Sequence, residues 1–529
     1  MLSPSAVAGP GAACRHSGRG ILLAIDTPLL RRARSVDERR LAAAALIGLL
    51  SLAVLLRMVP TLFVPSMNWA DEIFQASEQA HRLVYGTGLV PWEFQLGIRS
   101  WLLPGAIAGL MELARLFGDG PDYYLPVIDF GFSALGAAPV LCAFLWGRRF
   151  FGVSGAIIAG LTVAVAPELV YFGGRTLSEV AAGNLLVVAL YLLEPGYFVT
   201  ARRRIAMAGA LLALVFILRI QLAPAIALAA VWSFVQRPRH RLPALLLGAA
   251  IVLALAGGLD AATLGYPLAS VWRYFDYNLF YGVSDVFGTE PWNYYFEGEI
   301  GLWQSAVMLL VLLVLIGARR LPMLLVCALI ILLSHSAIAH KEYRFIYPAV
   351  LLAAVLAGIG LAQAVHWSEG WLSEKRVSSG VAALICGSLA CAYWCWLSFH
   401  LWTGPIMTKL RDRGHDNLAA VSLITHGPSF CGLGLYGLEG ADWGNYGGYT
   451  YLHRDVPIYW PKDATQFLAT VAGFDTLISI KPPPAGTGFT TERCFGNVCV
   501  ARRPGRCAPV PMMRMPFPAP LQGLAPHLR

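Results

Sequence analysis

Ionisable side chains are scarce in this chain: Asp, Glu, Lys and Arg make up 13% of 529 residues, against 57% hydrophobic residues and a mean hydropathy of +0.60. A soluble protein carries about 25% charged residues, so the composition excludes a string of soluble domains and indicates a chain threaded repeatedly through a bilayer. The 10 Cys fall into no metal-ligand pattern, and His335 and His340 have no third ligand at metal spacing, so neither zinc nor any other cofactor is expected. The Gly-rich run CGLGLYGLEGADWGNYGGYTYLHRD lacks the strand-to-helix setting of a nucleotide fingerprint and reads as loops and tight turns. Residues 21–25 are too short for a signal-peptide core, so 1–40 is expected to be a disordered cytoplasmic leader. No internal repeat is visible. The net charge of +9 resides in short Arg and Lys clusters between apolar runs, where it reports membrane orientation, and nucleic acid is not an expected partner.

What is present is a series of apolar runs at 41–63, 123–146, 153–172, 177–194, 205–219, 221–236, 242–262, 302–318, 321–338, 345–366 and 378–400. The run 101–117 is interrupted by Pro104 and carries Glu112 and Arg115, so it is assigned to the outer loop as a surface or re-entrant helix. With that choice Arg148-Arg149, Arg202 to Arg204, Arg237 to Arg241, Arg319-Arg320 and Lys375-Arg376 all fall inside. The fold class that follows is an all-α polytopic membrane protein of about eleven transmembrane helices. It has a large first outer loop (61–122), a second (263–301), and a small α/β outer domain at 401–510. The tail 511–529 is Pro-rich and expected to be disordered. Strand-like runs in the outer domain are 421–425, 450–452 and 476–480. Its Cys494 and Cys499 are separated by four residues and are expected to pair in an oxidising compartment, with Cys431 and Cys507 a second candidate pair.

The first outer loop concentrates Asp71, Glu72, Glu78, Arg82, Glu93 and Arg99 in 68–100. Helical spacing over 73–85 puts Asp71, Gln75, Glu78 and Arg82 on one face and Ile73, Ala76, Ala80, Leu83 and Val84 on the other. A helix lying along the bilayer, with its acids turned toward a cleft, is expected. The same outer side receives Trp92, Arg175, Glu179, Arg219, Gln221, the segment GTEPWNYYF with Trp292 and Tyr295, and HKEYRF with His340, Lys341, Glu342 and Arg344. Ionisable residues at span ends mark a substrate path or an ion pair locking two helices. Three cations against one Glu342 leave HKEYRF with surplus positive charge suited to a phosphate. Asp71 is equally readable as a helix N-cap, and the aromatic residues as an interfacial belt.

The ordered set DEIFQ, YGTGLVPWEF, GIRSWLLPG, RTLSE, FGTEPWNYY and HKEYRFIYP resembles, over about 41–365, glycosyltransferase family 22, the lumenal mannosyltransferases of dolichol-linked oligosaccharide and GPI-anchor assembly, with the GT-C fold. The resemblance implies an inverting enzyme that moves a sugar, most simply mannose, from a polyprenyl-phosphate carrier to a hydroxyl of a glycolipid or glycan, without metal. It implies Asp71 and Glu72 as catalytic carboxylates, Asp71 being the base, and Arg219, His340, Lys341 and Arg344 at the donor phosphate. Glu93, Arg99, Trp92, Arg175, Glu179, Trp292 and Tyr295 are then left to orient sugar and acceptor. Ala- and Arg-rich composition suggests a bacterial inner-membrane protein with a periplasmic site, or, in a eukaryote, a lumenal site in the endoplasmic reticulum. A glycolipid transporter is the competing class, and the missing repeat and the loop position of the acids weigh against it.

Overall fold

The computed structural model describes residues 28–194, 201–236, 238–437 and 446–511. The expectations for 1–27, for Arg237, for the middle of the Gly-rich run and for 512–529 lie outside them. Six helices are long and apolar enough to cross a membrane: Asp37–Phe63, Pro121–Val165, Arg241–Leu264, Tyr294–Ala318, Tyr343–Glu374 and Ser379–Trp402. Between them stand the shorter apolar helices Ser178–Leu193, Ile220–Val235 and Pro322–Ser336. Leu102–Ala114 is a 13-residue helix packed on the outer loop. The first helix begins at Pro28 rather than near 41, so the last part of the expected leader is helical. Pro28 occupies the first position, where its missing N–H costs nothing, and 29–40 contains no further Pro or Gly.

Small residues let the spans approach closely. A Cβ on Gly209 would lie 2.0 Å from the carbonyl oxygen of Leu245, and one on Gly248 would lie 1.8 Å from that of Ala206. Gly317 and Gly360 are related in the same way to Leu356 and Leu313. Helices surrounded by lipid gain no hydrophobic drive from meeting, so close van der Waals contact at such glycines takes its place.

The C-terminal unit is built on a five-stranded sheet, β1 Leu433–Tyr436, β2 Ile458–Tyr459, β3 Thr476–Ser479, β4 Thr490–Phe495 and β5 Val498–Arg502, in the order β2-β1-β3-β5-β4. β1 pairs in parallel with β2 and β3, and β5 runs antiparallel to β3 and β4. Cys494 and Cys499 face each other across the β4–β5 hairpin and are disulfide-bonded, as are Cys431 and Cys507. Two of the three strand-like runs are helical instead. Residues 421–425 end the helix His415–Thr425, whose Leu418, Val421 and Ile424 are buried at helical spacing. Residues 450–452 belong to Gly448–Leu452, and the cause is tertiary. Glu78 from the outer loop accepts hydrogen bonds from the N–H groups of Tyr449 (3.1 Å) and Thr450 (3.0 Å), satisfying the orphan donors of that helix start. A Cβ on Gly448 would stand 2.6 Å from Glu78 Oε2, so glycine alone fits.

The same observation corrects the expected surface helix. Residues 73–85 do not form one regular helix: Ile73–Ser77 is a π turn and Glu78–Tyr85 an α-helix. The widened turn rotates Glu78 away from Asp71 and into the C-terminal unit. Ile73, Ala76 and Ala80 of the expected apolar face are buried, but Glu78 of the expected charged face is buried too, with Gln79 and His81, while Leu83 is exposed.

His81 completes the joint. Its Nδ1 donates to Thr87 O (2.7 Å), because a carbonyl can only accept, which leaves Nε2 to accept from His453 Nδ1 at 3.2 Å. Burial lowers the pKa of His81 to about 4. The folded state therefore binds fewer protons than the unfolded chain between about 4 and 6.5, and stability present above 6.5 is lost as pH falls through that window. Melting curves should show a lower transition temperature at pH 5 than at pH 7 and a shallower pH slope for His81→Asn. An unchanged slope in the variant would refute this role.

Candidate active site

Trp69 to Thr176 fold around one carboxylate. Glu72 Oε1 accepts from the backbone N–H of Trp69 (3.3 Å), its Oε2 pairs with Arg175 Nη1 (3.0 Å), and its carbonyl oxygen accepts from Thr176 Oγ1 (2.9 Å). Arg175 also donates to Ser66 Oγ (2.8 Å), and Trp69 stacks on Phe172 with centroids 5.5 Å apart. Glu72 is thus turned inward, pinning the loop to the turn before Ser178–Leu193. Its neighbour Asp71 is left on the other side, 26% exposed at the edge of a cleft.

That cleft, about 660 Å³, lies between the outer loop, the start of Ser178–Leu193, the Leu218–Gln221 turn and the helix Ala269–Phe275. Asp71, Gln75, Arg99, Ser178, Glu179, Gln221 and Tyr274 supply its polar lining. Leu102, Leu103, Phe216, Ile217 and Val271 supply an apolar one. Arg344 reaches it from behind. Its Nη2 donates to Asp71 Oδ2 (2.5 Å), Nη1 to Glu179 Oε1 (2.7 Å) and Nε to Glu342 Oε2 (2.8 Å). Arg219 Nη2 stands 3.5 Å from Glu179 Oε1, and both guanidinium groups lie near the Phe345 ring, that of Arg219 at 4.6 Å and that of Arg344 at 4.9 Å. Buried charges are tolerated when paired in this way.

The expected surplus of positive charge in HKEYRF does not face the cleft. Arg344 is matched by three carboxylates, and Lys341 Nζ points to the carbonyls of Glu290 (2.8 Å), Ile338 (2.5 Å) and Ala339 (3.5 Å). His340 lies between Gly288 O (2.8 Å) and Glu342 Oε1 (3.3 Å). Arg219 and Arg99 at the cleft each keep an Nε with no hydrogen-bond acceptor among the described residues, as Arg175 does on the other side of the loop. Arg99 also stacks over Tyr274 at 5.5 Å, and Tyr274 OH accepts from Gln221 Nε2.

Of the residues singled out in the sequence, Asp71, Arg99 and Glu179 line the cleft, with Arg344 and Arg219 directly behind them. Glu93 is one step removed, accepting from Gln75 Nε2 at 3.1 Å. Glu72 and Arg175 face the opposite side of the loop, Trp92 stacks on Phe287, Trp292 is 70% exposed, and Tyr295 is fully buried. Tyr274 was not legible, because nothing distinguishes it within an aromatic stretch. Asp129 and Glu168 were overlooked although a lone acid within an apolar run is itself a signal.

Glu93 is a titration probe of this loop. Burial first, and the charge of Asp71 second, raise its pKa to about 7. The folded state therefore holds a proton that the unfolded chain releases near 4.5, and stability falls as pH rises from 4.5 to about 7. Glu93→Gln should remove that loss, so its melting temperature should gain on wild type between pH 5 and pH 8. A constant difference across that range would contradict the assignment.

The family model "Alg9-like mannosyltransferase family" matches residues 49–424. GPI mannosyltransferase 3 of Drosophila melanogaster is 28% identical over 375 residues, 67% of this chain and 62% of that protein. GPI alpha-1,2-mannosyltransferase 3 of Homo sapiens is 25% identical over 347 residues, 62% of this chain and 59% of that one. The chain thus spans about three fifths of the length of these relatives. Among solved structures, ArnT from Cupriavidus metallidurans bound to undecaprenyl phosphate superposes with a TM-score of 0.59 over 88% of this chain and 99% of that one, at 13% identity. The fold is shared at that level, and with its six apolar helices the chain is an integral membrane protein.

Proposed function

The chain belongs to the Alg9-like mannosyltransferase family, and from that premise we propose that it transfers mannose from a polyprenyl-phosphate carrier to a hydroxyl of a glycolipid or glycan, with inversion at the anomeric carbon. The observation that carries this reading is the cleft with Asp71 at its edge and the spare guanidinium N–H groups of Arg219 and Arg99 nearby. The acceptor oxygen attacks the anomeric carbon while its proton passes to Asp71. The bond from that carbon to the phosphate oxygen breaks, and the electron pair leaves on the phosphate. Arg219 and Arg99 meet the charge that grows there. Arg344 is bound to Asp71, Glu179 and Glu342 at once, and so acts as the positioning residue of the base. The apolar half of the cleft suits the first isoprene units of a carrier, and ArnT, which shares the fold, binds undecaprenyl phosphate.

About eleven spans, with the loop and the C-terminal unit on the periplasmic or lumenal side, are the topology that goes with this reading. Neither a metal nor another cofactor enters the reaction as written. Purified protein supplied with polyprenyl-phosphate mannose and a pool of glycolipid acceptors should form an α-mannoside. Failure with mannose and with glucose, galactose and arabinose carriers alike would sink the assignment.

A further inference from the structure

The helix Ser178–Leu193 brings Glu179 to the cleft at one end, and its 16 residues, at 1.5 Å each, place the other end about 24 Å away, on the opposite face of the bundle. There its last carbonyls need donors. Arg204, near the start of the helix Ala201–Leu218, donates from Nη1 to Glu194 O, and Arg241, near the start of Pro238–Leu264, donates from Nη1 to Leu193 O at 3.3 Å. Arg149, just before the kink at Gly152 in the helix Pro121–Val165, completes the group. All three guanidinium groups act on one carboxylate, that of Glu194.

Hydrogen bonds to carbonyls cap the helix, yet they leave the charge unbalanced. Among the described residues three cations meet one acid and the half-charge of a helix C-terminus, and the connecting sequences 195–200 and 237–240 contain no Asp or Glu. Arg149 and Arg241 also act on Arg204, like charge on like. Arg204 is the costly member. It is 7% exposed, and its Nε has no hydrogen-bond partner among the described residues. An arginine that only sets membrane orientation can keep its head in water, whereas a buried one beside two others calls for an anion.

The surroundings say what carries the anion. Leu247, Ile251 and Leu255 are exposed at successive turns of Pro238–Leu264, leading away from Arg241, and Met207 is exposed one turn beyond Arg204. A phosphate held among the arginines can lay acyl chains along this stripe, and a soluble phosphate would leave it bare.

We propose that Arg149, Arg204 and Arg241 form a binding site for the phosphodiester of an anionic phospholipid on the face opposite the cleft, with its chains along Leu247, Ile251 and Leu255. The site stands apart from the transfer reading, because no residue of the cleft takes part in it.

The test titrates the full-length protein, purified in a neutral detergent, with dioleoyl phosphatidylglycerol and with dioleoyl phosphatidylcholine, which has the same chains, and counts bound lipid by native mass spectrometry. Phosphatidylglycerol should bind about tenfold more tightly. Arg149→Gln combined with Arg241→Gln should remove that preference, since a hydrogen bond to a charged group is worth about tenfold in affinity. Lys375→Gln, just beyond the far end of the helix Tyr347–Glu374 and outside the cluster, should leave it intact. An unchanged melting temperature of the lipid-free double variant reports that the fold is kept. If that variant does not fold, Arg149→Gln alone, at an exposed side chain, carries the test and should weaken the preference. The proposal is overturned if the two lipids bind alike, if the folded arginine variant keeps the wild-type preference, or if Lys375→Gln lowers it as much. It is overturned equally if glycerol 3-phosphate at the same concentration displaces phosphatidylglycerol, which would make this a site for soluble phosphates.

Discussion

Asp71→Asn should yield a folded protein that binds a polyprenyl-phosphate donor and transfers its sugar about 10²- to 10⁴-fold more slowly, the usual worth of a positioned general base. Folding should survive because of the charge pattern around Arg344. Three carboxylates, Asp71, Glu179 and Glu342, share the two guanidinium groups of Arg344 and Arg219. Neutralising one of the three leaves two acids with two bases. The Asn amide oxygen can still accept from Arg344 Nη2, so the loop keeps its anchor and loses only its proton acceptor. Donor binding should be nearly unchanged, because Arg219 and Arg99 are untouched. Single-turnover transfer together with equilibrium binding of the carrier would separate the two effects. Wild-type rates in the variant would remove Asp71 from the chemistry.

Arg344→Ala should have the larger effect on the protein itself. Arg344 is 3% exposed, and Glu179, one of the acids it satisfies, is completely buried. Removing the cation leaves carboxylates without their partner in a site that water barely reaches, which costs about 3–5 kcal/mol when a buried pair is broken from one side. The variant is expected to lose monodisperse behaviour in detergent and most of its thermal transition, and with them transfer. Arg344→Lys tests the geometry separately. A single ammonium retains the charge but cannot fork between Asp71, Glu179 and Glu342, so a folded protein with depressed kcat and little change in donor KM is expected. A stable, active Arg344→Ala protein would show that the network does not hold the base.

That the chain is a mostly helical integral membrane protein was determined by the sequence alone. It follows from a local count, apolar run length against bilayer thickness. Asp71, Glu179, Arg219 and Arg344 were legible in the same way, as ionisable residues too costly to keep beside apolar spans without a partner. Which partner each one took was decided only in three dimensions. Lys341 and Arg344 stand three residues apart in one basic motif, yet one is spent on backbone carbonyls and the other on three acids from distant segments. Asp71 and Glu72 are adjacent, yet they face different cavities. Helical periodicity placed Glu78 beside Asp71, and a π turn rotated it into the C-terminal unit, where its carboxylate starts a helix in residues that read as a strand. The physical reason is common to all three. Propensity and hydropathy sum over neighbours along the chain, whereas the fate of a buried charge depends on which opposite charge or open donor lies within about 3 Å of it, and in this fold those partners come from segments as far as 372 residues away.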